Sequence, residues 1–187
     1  TAYGATGVAN NLLPTSVSAG PGNGGPGDIA TTAITYNAVG DALTVDGPLS
    51  GTTDTIYYHY DAYWRPVGAV QPDPDGGSSL KPKASRTAYD AIGNVASQEI
   101  GTVNSVSDSP WDTNFTVTAK TDTAYDSRNR PVKTVQKNAG GTIIGVSQTS
   151  YNGASQVVCR AQRLNSADFA SPPTACTQGT DTMDRIT

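Results

Sequence analysis

Few side chains in this sequence are suited to covalent or acid–base chemistry. Cys159 and Cys176 are the two cysteines, His59 is the single histidine, and Glu99 is the one glutamate among sixteen acidic residues. Two cysteines without histidine neighbours fall short of a zinc site, whereas an even count in a chain of exported character favours a disulfide. Such a bridge would close the loop 159–176, which contains Pro172 and Pro173, and stabilise it by about 3 kcal/mol in the chain-entropy picture. His59 lies between Tyr58 and Tyr60 on an expected strand. A general base needs a nucleophile and an orienting acid beside it, and no Gly-x-Ser-x-Gly elbow supplies one, so His59 reads as a strand residue. Paired carboxylates could hydrolyse a glycosidic bond, but the aspartates fall mostly in turns, where Asp serves the backbone. Asp73 and Asp75 beside Gly76 and Gly77 hint at calcium, yet the further ligands and closing Glu of a calcium loop are missing. The expectation is no catalytic residue, no metal and no cofactor, with a hydrolase using Asp or Glu99 as the weakest alternative.

The elements that would position these residues follow from composition and spacing. The chain of 187 residues has 20 glycines, 12 prolines and nine tyrosines, with 15% charged residues. Aromatic and β-branched residues punctuated by turn formers read as all-β rather than disordered. A net charge of −4 with scattered basic residues argues against nucleic acid and anionic membrane as partners. No apolar run is long enough to span a bilayer. The sequence begins Thr1-Ala2-Tyr3 without a leader, which suggests residues from inside a longer exported chain.

One phrase recurs. It reads Tyr60-Asp61-Ala62-Tyr63-Trp64-Arg65-Pro66-Val67, then Tyr89-Asp90-Ala91-Ile92-Gly93-Asn94-Val95, then Tyr125-Asp126-Ser127-Arg128-Asn129-Arg130-Pro131-Val132. Looser copies start at Tyr36-Asn37, Tyr151-Asn152 and Tyr3-Gly4, so the tyrosines step by 33, 24, 29, 36 and 26 residues. Asp or Asn after Tyr can bond its own backbone two residues on and start a turn. Gly or Asn three residues later, as at Gly40 and Gly93, supplies the left-handed conformation a tight hairpin needs. Pro66 and Pro131 fix φ where the outgoing strand begins. Segments entering the turns alternate: Phe115, Val117 and Ala119 share one face, and Ile56, Tyr58 and Tyr60 another. Each unit is expected to be a hairpin, with Tyr at the end of its incoming strand. The tyrosines would form the packing register between neighbouring hairpins, their hydroxyls satisfying backbone near the turns. Residues 18–28, rich in Gly and Pro, read as a flexible insert.

These phrases resemble the YD repeats of the rearrangement-hotspot (Rhs) family, whose unit is close to Tyr-Asp-x-x-Gly-Asn/Arg. The match at Tyr60, Tyr89 and Tyr125 is strong; Asn replaces Asp after Tyr36 and Tyr151, and Gly does so after Tyr3. The resemblance covers residues 1–187 apart from the 18–28 insert, and the 159–176 loop is similar to a Cys-bounded insert found in some such repeats. It implies an array of antiparallel hairpins forming part of a curved or spiralling β-sheet. In bacterial members of the family, and in related toxin-complex subunits, such a sheet closes as an exported shell, often around a C-terminal toxin. In teneurins it serves adhesion. The family's self-cleaving aspartyl element is not recognisable here, and Asp73-Pro74-Asp75-Gly76-Gly77 reads instead as a hairpin loop. The expected role is structural: part of an extracellular or cell-surface shell whose partners are neighbouring repeats and an enclosed toxin. The alternative is an adhesion module binding a surface glycan or protein through Tyr57, Tyr63, Trp64 and Trp111.

Overall fold

Strand-forming stretches separated by Asn, Asp and Gly clusters give an all-β chain. The computed structural model describes residues 1–5, 11–20, 29–77, 79–111, 113–180 and 183–187. Among the described residues thirteen antiparallel strands follow one another in a single open sheet, each strand next to its neighbours in sequence. Among the described residues the one helical element is a single 3-10 turn, Ser166–Asp168. No helix among the described residues is long and apolar enough to cross a membrane.

The chain divides into two compact units. The first comprises residues 1–86 and 101–116. It holds β1 (Ala2–Tyr3), β2 (Pro14–Ala19), β3 (Ala30–Tyr36), β4 (Ala42–Asp46), β5 (Ile56–Tyr60), β6 (Pro66–Val70) and the first part of β7 (Lys83–Tyr89). The register sets Thr35 opposite Thr44, Thr44 opposite Tyr57, Tyr57 opposite Val70 and Val70 opposite Ala84. This row therefore lies on one face, and its far end is the core. Val70, Ala84 and Val103 are buried there, with Tyr57, Val106 and Phe115 packed against them. Burying each valine contributes about 1.5–3 kcal/mol.

The segment after Gly101 folds back over that face. The Val103 amide donates to the Pro82 carbonyl at 3.1 Å. Arg86 donates to the Pro110 carbonyl at 3.2 Å, with its guanidinium 4.3 Å from the Phe115 ring centre. Gly68, opposite Arg86 in the ladder, lies beneath Pro110, and a β-carbon there would come within 2.9 Å of the proline ring and of the Ser85 carbonyl. That strand position therefore needs glycine.

The second unit comprises residues 87–100 and 117–187. It holds most of β8 (Val95–Thr102) and β9 (Thr116–Tyr125), then β10 (Pro131–Asn138), β11 (Ile143–Tyr151), β12 (Val157–Arg163) and β13 (Arg185–Ile186). Its register runs Asp122–Val135–Val146–Arg163 and Ala124–Lys133–Gln148–Ala161 on one face. Val146, Ala161 and Arg163 are buried on it, as is Ala175 of the long connection from β12 to β13.

Two readings of the sequence change at this level. Ser18 and Ala19 are not part of a loop: they pair with Thr31 and Ala30 in the ladder, and the Ser18 and Thr31 hydroxyls bond at 2.9 Å. Residues 21–28 of the insert lie outside the described residues, as do Thr6, Gly7 and Val8 of the first phrase. Tyr57 was expected to be an exposed ring. It is half-buried against Val70, Ala84 and Val103 because its strand position faces the core.

Candidate functional site: the tyrosine-capped turns

The recurrent phrase builds one local structure each time. In the Asp126 turn the Asp126 amide donates to the Arg130 carbonyl at 3.0 Å, and the Asn129 amide donates back to the Asp126 carbonyl at 3.0 Å. The Asp126 carboxylate accepts from the Arg128 and Arg130 amides at 2.9 and 3.1 Å. The residue three after the acid is left-handed, with Asn129 at φ 60°. The turns at Asn37, Asp61, Asp90 and Asn152 repeat both backbone bonds and both side-chain bonds. Their left-handed residues are Gly40, Trp64, Gly93 and Ser155. Expecting only Gly or Asn at this place misses Trp64 and Ser155, two residues whose β-carbons disfavour it.

A second rule concerns the residue four after the acid or amide. Asp126 accepts from Arg130 Nε at 2.7 Å and Asp61 from Arg65 Nε at 2.7 Å, while Asp90 accepts from Asn94 Nδ2 at 3.0 Å. Where the phrase begins with Asn the polarity reverses. Asn37 Nδ2 donates to Asp41 at 3.0 Å and Asn152 Nδ2 donates to Gln156 Oε1 at 2.9 Å. Carboxylates meet donors and amides meet acceptors, so each turn closes a complementary side-chain bridge. The Arg130 guanidinium holds Asp126 down to about 2. At Asp61 and Asp90 partial desolvation opposes ionisation, but hydrogen bonds from Arg65 and Asn94 outweigh it and keep both carboxyls below their ordinary range.

The tyrosines join one hairpin to the one before it. Tyr36, Tyr60, Tyr125 and Tyr151 end their incoming strands, and Tyr36, Tyr60, Tyr125 and Tyr151 stand opposite Ala42, Pro66, Pro131 and Val157 across their own hairpins. Each hydroxyl reaches back to the preceding hairpin. Tyr60 donates to the Ala42 carbonyl at 2.9 Å, Tyr125 to Val95 at 3.0 Å and Tyr151 to Pro131 at 3.2 Å. Tyr36 donates to Pro14 at 2.8 Å, and Pro14 is the residue opposite Tyr3. The acceptor is thus the carbonyl where the earlier outgoing strand starts. Tyr89 occupies the same place at the end of β7. In the second unit the turns also touch directly: Arg128 donates to the Gly153 carbonyl at 2.7 Å, Arg130 donates to the Ser155 hydroxyl at 3.1 Å, and the Arg130 guanidinium lies 4.5 Å from the Tyr151 ring centre.

Two features escape the repeat pattern. Asn138 makes the same turn without a tyrosine, its side chain accepting from Gly140 and Thr142 amides at 3.0 Å each, with Gly141 at φ 78°. The Asn-Ala-Gly-Gly spacing carried that signal. The other is Arg163, fully buried. Its five N–H groups meet Gln148 at 2.8 Å, Thr177 carbonyl at 2.8 Å, Asp184 at 2.7 Å, and the Pro173 and Thr174 carbonyls at 3.1 and 2.7 Å. Asp184 also accepts from the Leu164 and Gly179 amides at 3.0 and 3.1 Å. Desolvation works against its charge, but Arg163 and these amides prevail and its carboxyl sits below the ordinary range. Cys159 and Cys176 are joined, with 5.3 Å between α-carbons, and tie the same connection to β12.

The remaining candidates separate. His59 stands opposite Gly68 in the ladder. Glu99 is buried with Lys120 at 3.2 Å, and Lys120 also meets Asp122 at 3.2 Å. Asp73 and Asp75 accept from the amides of Asp75, Gly77 and Leu80 within their own loop. No three His, Cys, Asp or Glu among the described residues gather to hold a metal. An open depression of about 560 Å³ beside the Asp126 turn is lined by one carboxylate, Asp126 itself, already bonded to Arg130. Trp111 donates to the Val67 carbonyl at 3.1 Å and is exposed like Trp64, at 45% against 50%, while Tyr63 is 79% exposed.

No family model and no curated protein matches the chain. Solved structures do. The crystal structure of TcdB2-TccC3-TEV aligns over 74% of this chain with a TM-score of 0.54 and 16% identity. That of TcdB2-TccC3-Cdc42 aligns over 73% with a TM-score of 0.53 and 16% identity. The chain shares the all-β fold of these solved chains. The likeness is of architecture, and the chain spans about 6% of the length of each of these two solved chains.

Proposed function

We propose that this chain is a structural segment of a secreted, Rhs-like β-shell, and that it acts by enclosing, protecting or displaying another part of the same polypeptide rather than by catalysis. The observation that carries this reading is the hydroxyl bond from Tyr36, Tyr60, Tyr125 and Tyr151 to the hairpin before each. A hairpin whose register depends on its neighbour is suited to building a continuous wall and has little to gain from acting alone. Support also comes from the fold likeness to much longer chains and from the disulfide, which persists in oxidising compartments. Asp61, Asp90 and Asp126 are committed to turns and Glu99 to an ion pair with Lys120, which favours wall over enzyme.

Limited proteolysis of the full polypeptide in rising denaturant tests this reading. Segments outside the array should stay uncut until the array itself unfolds and then be lost together with it. Rapid cleavage of every other segment while the array remains folded would remove the enclosing role.

A further inference from the structure

The turns at Asn37, Asn138 and Asn152 begin with an amide, and in each the side-chain oxygen accepts backbone amides two and four residues on. Alanine follows Asn37 and Asn138, whereas Gly153 follows Asn152, the one Asn-Gly pair among the described residues. The fold does not ask for that glycine. A β-carbon built on Gly153 meets nothing within 4 Å, and the left-handed residue of this turn is Ser155. A missing β-carbon does matter to chemistry, because it lets the Gly153 nitrogen approach the Asn152 side-chain carbon closely.

The surrounding bonds favour that approach. The amides of Asn152, Ala154, Ser155 and Gln156 are all spent within the turn, at 2.9, 3.0, 3.0 and 3.0 Å. The Gly153 N–H has no acceptor among the described residues. The Asn152 main-chain carbonyl accepts from the Ser155 amide at 3.0 Å and from Arg130 Nη1 at 3.2 Å. Both bonds draw electrons from the Asn152–Gly153 peptide and make its N–H more acidic. Negative charge develops on Oδ1 as the nitrogen adds to Cγ, and Oδ1 already accepts two backbone N–H groups at 3.0 Å each. Donors fixed where charge will appear form an oxyanion hole. Asn152 is exposed, so water reaches it.

From this geometry we infer that Asn152 is a self-modification site, whose side-chain amide is lost in the folded chain. The Gly153 nitrogen gives its proton to solvent and bonds to Cγ. The Cγ–Nδ2 bond then breaks, and the nitrogen takes a proton from water and leaves as ammonia. Water opens the resulting cyclic imide to a carboxylate at position 152, as Asp or as its β-linked isomer. The α-linked product is the Tyr-Asp phrase found at residues 60, 89 and 125. Its charge falls beside Arg128 and Arg130 of the preceding turn, which already donate to the Gly153 and Asn152 carbonyls at 2.7 and 3.2 Å. Gln156 can turn its amide to donate to that carboxylate, as Asn94 donates to Asp90 at 3.0 Å.

The test holds the complete chain at neutral pH, folded and in parallel unfolded in guanidinium chloride, and follows amide-to-acid exchange at each asparagine by peptide mapping with mass spectrometry. Asn152 should convert in the folded chain at least as fast as in the unfolded one, and at least tenfold faster than Asn37 or Asn138. Gly153→Ala should slow the conversion at least tenfold and leave the melting temperature unchanged. Asn152→Asp, the product made directly, should melt no lower than the parent. An Asn152 that stays intact in the folded chain, or converts faster when unfolded, overturns the inference. So does a Gly153→Ala variant that converts like the parent, or an Asn152→Asp variant that melts lower and thereby shows that the turn rejects the acid.

Discussion

At the scale of single residues, the turn chemistry is a matter of donors facing acceptors. Asn37→Asp would set a carboxylate against Asp41 and destroy the bridge the amide makes now. It should cost about 1 kcal/mol, the ordinary worth of such a bond, and adding Asp41→Asn should restore it, since the pair would then match Asp90 and Asn94. Urea midpoints of the single and double variants read this directly; equal loss in both would contradict complementarity. The acids also set a pH response. Asp61, Asp90, Asp122, Asp126 and Asp184 all sit below their ordinary carboxyl values in the folded chain. Carboxyls depressed by folding contribute stability that is present above the unfolded value, about 4, and is lost as pH falls through the folded one. For Asp126 that lower bound is about 2. Denaturation midpoints should therefore be level above about pH 5 and fall between about 4 and 2, and Asp126→Asn should flatten the lowest part of that curve.

At the scale of elements, each unit folds a loop over one sheet face around an arginine. Arg86 takes the Pro110 carbonyl in one, and Arg163 takes the Pro173, Thr174 and Thr177 carbonyls in the other. The second is the more demanding, since Arg163 and Asp184 are wholly removed from water. Asp184→Asn leaves a buried guanidinium without its counter-charge and should cost about 3–5 kcal/mol. Reduction of the Cys159–Cys176 bridge should cost about 3 kcal/mol for a loop of this length. Thermal melts with and without dithiol check both, and an Asp184→Asn melt within one degree of the parent would remove the central place given to that pair. Little of this clasp was legible in the sequence. Arg163 and Asp184 stand 21 residues apart with no periodicity between them, and a lone arginine on a strand ordinarily faces water. The cysteines were legible because their number and setting left few roles. The turns were legible because Tyr60, Tyr89 and Tyr125 repeat the same phrase, whereas Trp64 defied the preference for Gly or Asn that made the other turns readable. Tyr57 was misread because alternation gives the face of a ring without saying which face meets the core.

At the scale of the whole molecule, tyrosine hydroxyls add to strand pairing in holding consecutive hairpins in register. The junction of β4 and β5 shows why: the register there pairs Thr44 with Tyr57 and Val45 with Ile56, and Tyr60 adds its bond to the Ala42 carbonyl. An array joined this way should lose order at a junction and not within a hairpin when one hydroxyl is removed. The sharpest measurement is amide hydrogen exchange on Tyr60→Phe, which keeps the ring and deletes only the donor. The expected result is faster exchange in both β4 and β5, with the turns at Asn37 and Asp61 still protected. Exchange indistinguishable from the parent across β4 and β5 would contradict the tyrosine-linked register on which the proposed wall depends.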